Sequence, residues 1–237
     1  MRLSNTAESS VHSPTSAFGW TTDPSYLPSL DEVRATEISF EGKEALRQYY
    51  VRPWETERFE VWTQEFIAGL SKHILSGVNV AQVEAPMILE VGAGDGRLAG
   101  FLGQIIELSD PQASVVATDT EPQQGSAFPV ISMDVREALE EYKPNVVISS
   151  WMPLGHEWTR DMRAAPTVNE YIIIGVPHMT GSYSTWHGPE LGEFIPADLE
   201  QLDQQKIGQL SDEAILGYKT ITRSFKRQTK ARLIPEQ

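Results

Sequence analysis

Ile88-Leu89-Glu90-Val91-Gly92-Ala93-Gly94-Asp95-Gly96-Arg97-Leu98-Ala99-Gly100-Phe101-Leu102 is the stretch on which the fold turns. An apolar run closes on an acidic residue, and three glycines then alternate with other residues. Beyond them Leu98, Phe101, Leu102, Ile105 and Ile106 recur at helical spacing. The pattern predicts a strand, a tight glycine turn and a helix. Glycines leave the backbone bare there, so a ligand can lie against it. The helix aims its free N-terminal amides at the same spot. A nucleotide-like cofactor is expected on this turn.

The spacing narrows the choice. A dinucleotide fingerprint G-x-G-x-x-G, counted from Gly92 and Gly94, needs a glycine where Arg97 stands. A phosphate-cradling loop needs a Gly-Lys-Ser/Thr ending, and the stretch has none. What is present, acidic-x-G-x-G-x-G, closely resembles the first motif of class I S-adenosylmethionine-dependent methyltransferases. The resemblance implies that Glu90 helps hold the methionine amino group and that Gly92, Gly94 and Gly96 admit the sulfonium ligand.

Ser114 to Asp119 reads as a second buried strand closing on a carboxylate, about twenty residues past the glycines. An acid there can accept both ribose hydroxyls. Pro129 to Asp134 reads as a third strand, again with an acid at its end. By the same resemblance, Asp134 meets the adenine exocyclic amine and Met133 packs on the ring. Thr120, Ser150 and Trp151 complete the cofactor-binding set.

Asn145 to Trp151 and Glu170 to Pro177 are apolar runs without alternation, as in strands buried on both faces of a parallel sheet. The expected fold is α/β and Rossmann-like: a mostly parallel seven-stranded sheet with helices on both faces. The resemblance implies a C-terminal antiparallel hairpin. Alternation places it at Gln205–Leu210 and Tyr218–Phe225. A competing reading makes 198–210 a helix and puts the last strand at 230–234.

Upstream, residues 1–30 are rich in Ser, Thr and Pro and read as a loosely structured arm, unless packing holds them down. Residues 31–80 read as an accessory helical layer, and residues 86–237 as the cofactor-binding catalytic domain. In the layer, Phe40 to Val51 forms a first helix that Pro53 stops. Thr56 caps a second, with Phe59, Trp62, Phe66, Ile67, Leu70 and Ile74 on one face and Gly77 ending it.

Bulk composition sets further bounds. A net charge of −14 argues against a nucleic-acid partner, whose phosphates need Lys and Arg. The chain has no cysteine, which excludes disulfides and thiolate metal sites and agrees with a reducing compartment. No apolar run approaches the ~20 residues of a membrane helix. A soluble, cytoplasmic protein is expected.

Ligands of open α/β sheets lie beyond the carboxyl ends of the strands. The methyl acceptor should therefore meet the segments after the fourth and fifth strands. The first, Ser149 to Trp158, lacks the Asn/Asp-Pro-Pro-aromatic run of methyltransferases acting on exocyclic amines or glutamine amides. It also lacks the aspartates of catechol-type enzymes, so no metal is expected. Tyr50, Trp54, Trp151, Tyr183 and Trp186 are candidate substrate-binding residues. His178, His156 and His187 are candidate general bases, in that order, since imidazole titrates near neutral pH. The resulting expectation is methyl transfer from S-adenosylmethionine to a small organic acceptor through N, O or S. Two alternatives stand beside it: a protein methyltransferase drawing a basic peptide to its acidic surface, and a non-catalytic binding module.

Overall fold

The structure, a computed structural model, describes residues 18–52, 56–123, 126–187, 193–208 and 219–228. After a short turn at Gly19–Thr21 come helices α1 (Leu30–Ile38) and α2 (Phe40–Tyr50). Short strands β1 (Val51–Arg52), β2 (Thr56–Glu57) and β3 (Glu60–Val61) lead into α3 (Gln64–Val80). The main sheet opens with β4 (Met87–Val91), followed by α4 (Arg97–Ser109), β5 (Ser114–Asp119), β6 (Ile131–Ser132) and α5 (Val135–Tyr142). Then come β7 (Val146–Ser150), α6 (Thr159–Ala164), β8 (Glu170–Gly175) and α7 (Tyr183–His187). Strand β9 (Phe194–Asp198), α8 (Glu200–Asp203), β10 (Ile207–Gly208) and β11 (Ile221–Arg227) complete the described elements.

Seven strands form one sheet in the order β6-β5-β4-β7-β8-β11-β9. The first five are parallel, and β11 runs antiparallel to both β8 and β9. This is the mostly parallel, Rossmann-like sheet the sequence predicts. Chain order reverses between β4 and β7, and their carboxyl ends open the crevice where such sheets take ligands.

Alternation along the central strands divides the core in two. Ile88, Ile148, Ile172 and Ile174 face α3 and α4, where they meet Phe66, Leu70, Phe101 and Leu102. Leu89, Val91, Val147 and Ile173 face the other way, onto Leu139, Met162, Trp186 and Phe225. A third, smaller cluster joins Trp20, Val33, Leu46, Tyr49 and Val61 in the N-terminal layer. Trp20 is thereby buried, although it falls in the segment read as a loose arm. Residues 1–17 of that arm lie outside the described residues.

Two sequence expectations are corrected. The helix predicted from Thr56 to Gly77 begins instead after Thr63, whose hydroxyl accepts from the Phe66 amide at 3.2 Å, and it runs on to Val80. Gly77 sits inside the helix, where an added Cβ would stand 3.0 Å from the Glu170 carboxylate. Residues 56–61 are extended: β2 pairs with β1, and β3 pairs with β10.

The edge hairpin is also placed differently. Its first strand is β9, with Pro196 in it, and not Gln205–Leu210. Proline lowers the strand signal in sequence but is tolerated at a sheet edge, where one row of amides has no partner to donate to. Ile207 and Gly208 leave the main sheet and pair with Val61 and Glu60. Of the competing reading, only a short helix at Glu200–Asp203 is present, and positions 230–234 lie outside the described residues. Among the described residues no helix is long and apolar enough to cross a membrane.

Candidate functional site

A cavity of about 340 Å3 opens at the carboxyl ends of β4, β5 and β7. Its floor is the glycine turn. Gly92, Gly94 and Gly96 all hold positive φ, at +66°, +56° and +69°. At Gly92 the requirement is also steric, since a Cβ would stand 2.7 Å from the Trp158 ring. At Gly96 it would stand 2.5 Å from Val130. The turn is thus clamped between side chains from distant loops.

Three carboxylates converge on this floor. Glu90, at the end of β4, is buried, and one of its oxygens accepts from the Ala99 amide of α4 at 2.8 Å. Burial pushes its carboxyl up to about 8; the nearby negative charges of Asp95 and Asp119 add to the effect, and the Ala99 amide opposes it. Asp119, at the end of β5, accepts from the Gly94 amide at 2.8 Å and, through its other oxygen, from the Glu121 amide at 2.9 Å. Each oxygen therefore keeps acceptor capacity, because a carboxylate has about four acceptor positions. Asp95 caps Arg97 and pairs with Arg58 at 3.2 Å.

The opposite wall comes from the N-terminal layer. The Phe59 ring stacks on Trp151 at 4.6 Å and 19°. Trp151 Nε1 donates to Glu60 Oε1 at 3.2 Å. Trp151 follows β7 with φ +55°, rare for a bulky residue, and its amide donates to the Ile174 carbonyl at 2.8 Å. Glu60 is buried, with Lys206 Nζ 3.6 Å from Oε1. Burial pushes the Glu60 carboxyl up, against the pull of Lys206, Thr220 and Trp151. Arg58 lies over the Tyr49 ring at 4.9 Å, and Arg97 donates to the Tyr49 hydroxyl at 2.5 Å.

Of the predicted cofactor set, Glu90, Gly92, Gly94, Asp119, Thr120, Met133, Ser150 and Trp151 line the cavity. Gly96 stands behind it at the N-cap of α4. Asp134 is outside the lining, and its carboxylate caps α5 by accepting from the amides of Arg136 and Glu137. Among the predicted bases, His156 lines the cavity, its ring edge-on to Trp158 at 5.8 Å.

His178 and His187 lie outside the lining, in an exposed ladder of rings with Tyr183. Trp186 is buried in the lower core, its Nε1 donating to the Thr180 carbonyl at 2.8 Å. Tyr50 turns its hydroxyl to the Ile207 carbonyl at 3.2 Å, outside the lining, and Trp54 lies outside the described residues. The physical reason is a zipper between the two acceptor-side loops. The Gly155 amide donates to the Gly181 carbonyl, the Gly181 amide donates to the Met152 carbonyl, and Ser182 and Thr185 donate to Glu157. These bonds hold the second loop against the first.

Arg58, Phe59, Glu60, Gln123 and Trp158 also line the cavity, and sequence reasoning did not single them out as site residues. Gln123 Oε1 is buried there without a hydrogen-bond partner among the described residues. For Arg58 and Glu60 no signal existed, since charges one position either side of an apolar residue are ordinary in an amphipathic helix.

No family model matches the chain, and no curated protein does. Solved structures give partial likenesses. A class I S-adenosylmethionine-dependent methyltransferase, described as putative and from Listeria monocytogenes, shares 13% identity over 88% of this chain and 72% of its own, with TM-score 0.49. The plantazolicin methyltransferase BpumL, in complex with a substrate analogue and S-adenosylhomocysteine, shares 11% over 83% and 95%, with TM-score 0.45. The DszA carbon methyltransferase shares 13% over 69% of this chain, with TM-score 0.43, and this chain spans 54% of its length. Identities this low are silent on chemistry, for which the residues of the cavity have to speak.

Proposed function

We propose that this chain is an enzyme that transfers a methyl group from S-adenosylmethionine to a small organic acceptor. One observation carries the reading. The strand-end acid Glu90, the bare glycine turn and the strand-end acid Asp119 share one cavity with an aromatic wall. The group they would hold is itself cationic at sulfur and at its amine, and the carboxylates around the turn suit it. The ammonium belongs beside Glu90, whose proton affinity is raised by burial and whose proton a cation there would displace. Ribose hydroxyls fit the free acceptor positions of Asp119. Gln123 has a buried amide oxygen to offer, and Met133 a polarisable face for a base.

S-adenosylmethionine supplies an electrophilic methyl group on sulfonium. The protein's part is then to orient the ligand, hold the acceptor in line and keep water out, which accounts for much of the rate in displacements of this kind. Ser150, Trp151 and His156 stand on the acceptor side of the cavity. A concave cavity of about 340 Å3 with aromatic walls suits a small acceptor better than a peptide lying on the acidic surface.

Calorimetry with S-adenosylhomocysteine tests the reading, with NAD as control. Micromolar binding of the first and none of the second is expected. Tight NAD binding would remove its basis. Bound cofactor product with no methylation of any small molecule in a labelled-cofactor screen would favour the binding module.

A further inference from the structure

The acceptor side of the cavity has a chemistry of its own. Phe59 and Trp151 present a stacked aromatic pair, and the buried Glu60 carboxylate lies directly behind it, joined to the Trp151 indole N–H at 3.2 Å. Aromatic faces and a carboxylate together suit a nitrogen cation, because both the ring quadrupole and the anion attract it.

The cations around the cavity already have partners, and one of them, Lys206, is paired from behind with Glu60 itself. Arg58 is paired with Asp95 and stacked on Tyr49. Arg97 donates to the Tyr49 hydroxyl and the Tyr26 carbonyl, and its Nε has no hydrogen-bond partner among the described residues. Lys206, behind the wall, is held by the Thr220 hydroxyl at 2.6 Å and its carbonyl at 3.2 Å, with Glu60 and Asp203 beside it. An acceptor bearing a carboxylate or phosphate at this wall would face the Glu60 carboxylate, with Glu90 and Asp119 lining the same cavity. A neutral alcohol would gain nothing from the carboxylate's charge. An amine alone uses both features.

We propose that the wall formed by Phe59, Trp151 and Glu60 is an amine-binding subsite, and that the acceptor is a small basic amine carried on an apolar body. Calling the amine an acceptor rests on the methyl-transfer reading; the subsite itself does not.

The test separates the two. Full-length protein is titrated with phenethylamine, 2-phenylethanol and 3-phenylpropionate, which share a ring and differ in the end group. S-adenosylhomocysteine binding is measured on the same samples by calorimetry. Phenethylamine is expected to bind at least tenfold more tightly than the alcohol, with the acid weakest. Glu60→Gln should bring the amine down to the level of the alcohol and leave S-adenosylhomocysteine binding near wild type.

Equal or better binding of the alcohol or the acid overturns the proposal. So does absence of amine binding, or a preference that survives in folded Glu60→Gln. If that variant fails to fold, Phe59→Ala serves, since it spares the buried Glu60–Lys206 contact. It should cost the amine several-fold, and an unchanged amine affinity is the overturning result. An amine preference without S-adenosylhomocysteine binding would sink the methyl-transfer reading and leave the subsite standing.

Discussion

Trp158 packs against Gly92, so close that a methyl group added to the glycine would sit 2.7 Å from one ring carbon and 2.8 Å from the next. Gly92→Ala therefore meets two penalties. The left-handed backbone costs roughly 1–2 kcal/mol for a residue with a Cβ, and the ring must also move. A lowered melting temperature and weakened S-adenosylhomocysteine binding are expected. Adding Trp158→Leu should restore only the part due to the clash, which differential scanning calorimetry on the double variant can read.

Asp119 ties the Gly94 and Glu121 amides and has acceptor capacity left for a ligand. Asp119→Ala should weaken binding of S-adenosylhomocysteine by about 2–4 kcal/mol, as charge-assisted bonds are lost. Asp119→Asn keeps one oxygen and should fall between. An unchanged dissociation constant in the alanine variant would mean that the ribose lies elsewhere.

Glu90 should impose a pH dependence. Its carboxyl stands at about 8 in the folded protein against an ordinary value of 4.5, so between those limits the native state binds more protons than the unfolded chain. Stability of the ligand-free protein should then fall as pH rises from about 4.5 to about 8, by an amount on the order of a few kcal/mol. Glu90→Gln should flatten that slope in urea titrations. Binding of a cationic ligand should release a proton near pH 7, seen as a calorimetric heat that varies with the buffer's ionisation enthalpy. Buffer-independent heats would contradict the assignment.

The three histidines should separate. His156 lines the cavity, whereas His178 and His187 stack with each other at 5.6 Å on the surface beyond it. With an amine acceptor found in the screen, His178→Ala and His187→Ala should keep near wild-type turnover. If an imidazole takes the acceptor's proton, His156→Ala should lose roughly 10²–10⁴-fold. Full activity in all three variants would leave positioning as the main source of rate.

Tyr49 joins the N-terminal layer to the site. Its hydroxyl donates to the Glu60 carbonyl at 3.2 Å and accepts from the buried Arg97 guanidinium. Tyr49→Phe should destabilise the fold by about 1.5–3 kcal/mol, the worth of a hydrogen bond to a charged group. Faster hydrogen exchange over residues 18–50, with the main sheet unchanged, would identify the layer as the part released.

Local pattern alone determined the parallel half of this molecule. Met87–Val91 and Arg97–Ser109 could be read because strand, turn and helix there follow from side-chain period and from glycine. The acids Glu90 and Asp119 close their strands at the cavity. Asp134 shows the limit of that reading: an acid at a strand end is equally a helix cap, and only its bonds to Arg136 and Glu137 decide between the two.

The aromatic wall of the cavity was decided by tertiary structure. Phe59 and Glu60 meet Trp151 across some ninety positions of chain, and β3 exists as a strand because Ile207 and Gly208 come to pair with it. Likewise, His178 and His156 read alike as loop histidines, and the bonds between their loops leave one at the cavity and the other on the surface. Contacts of this kind leave no period in the sequence, because neither partner's neighbours carry information about the other.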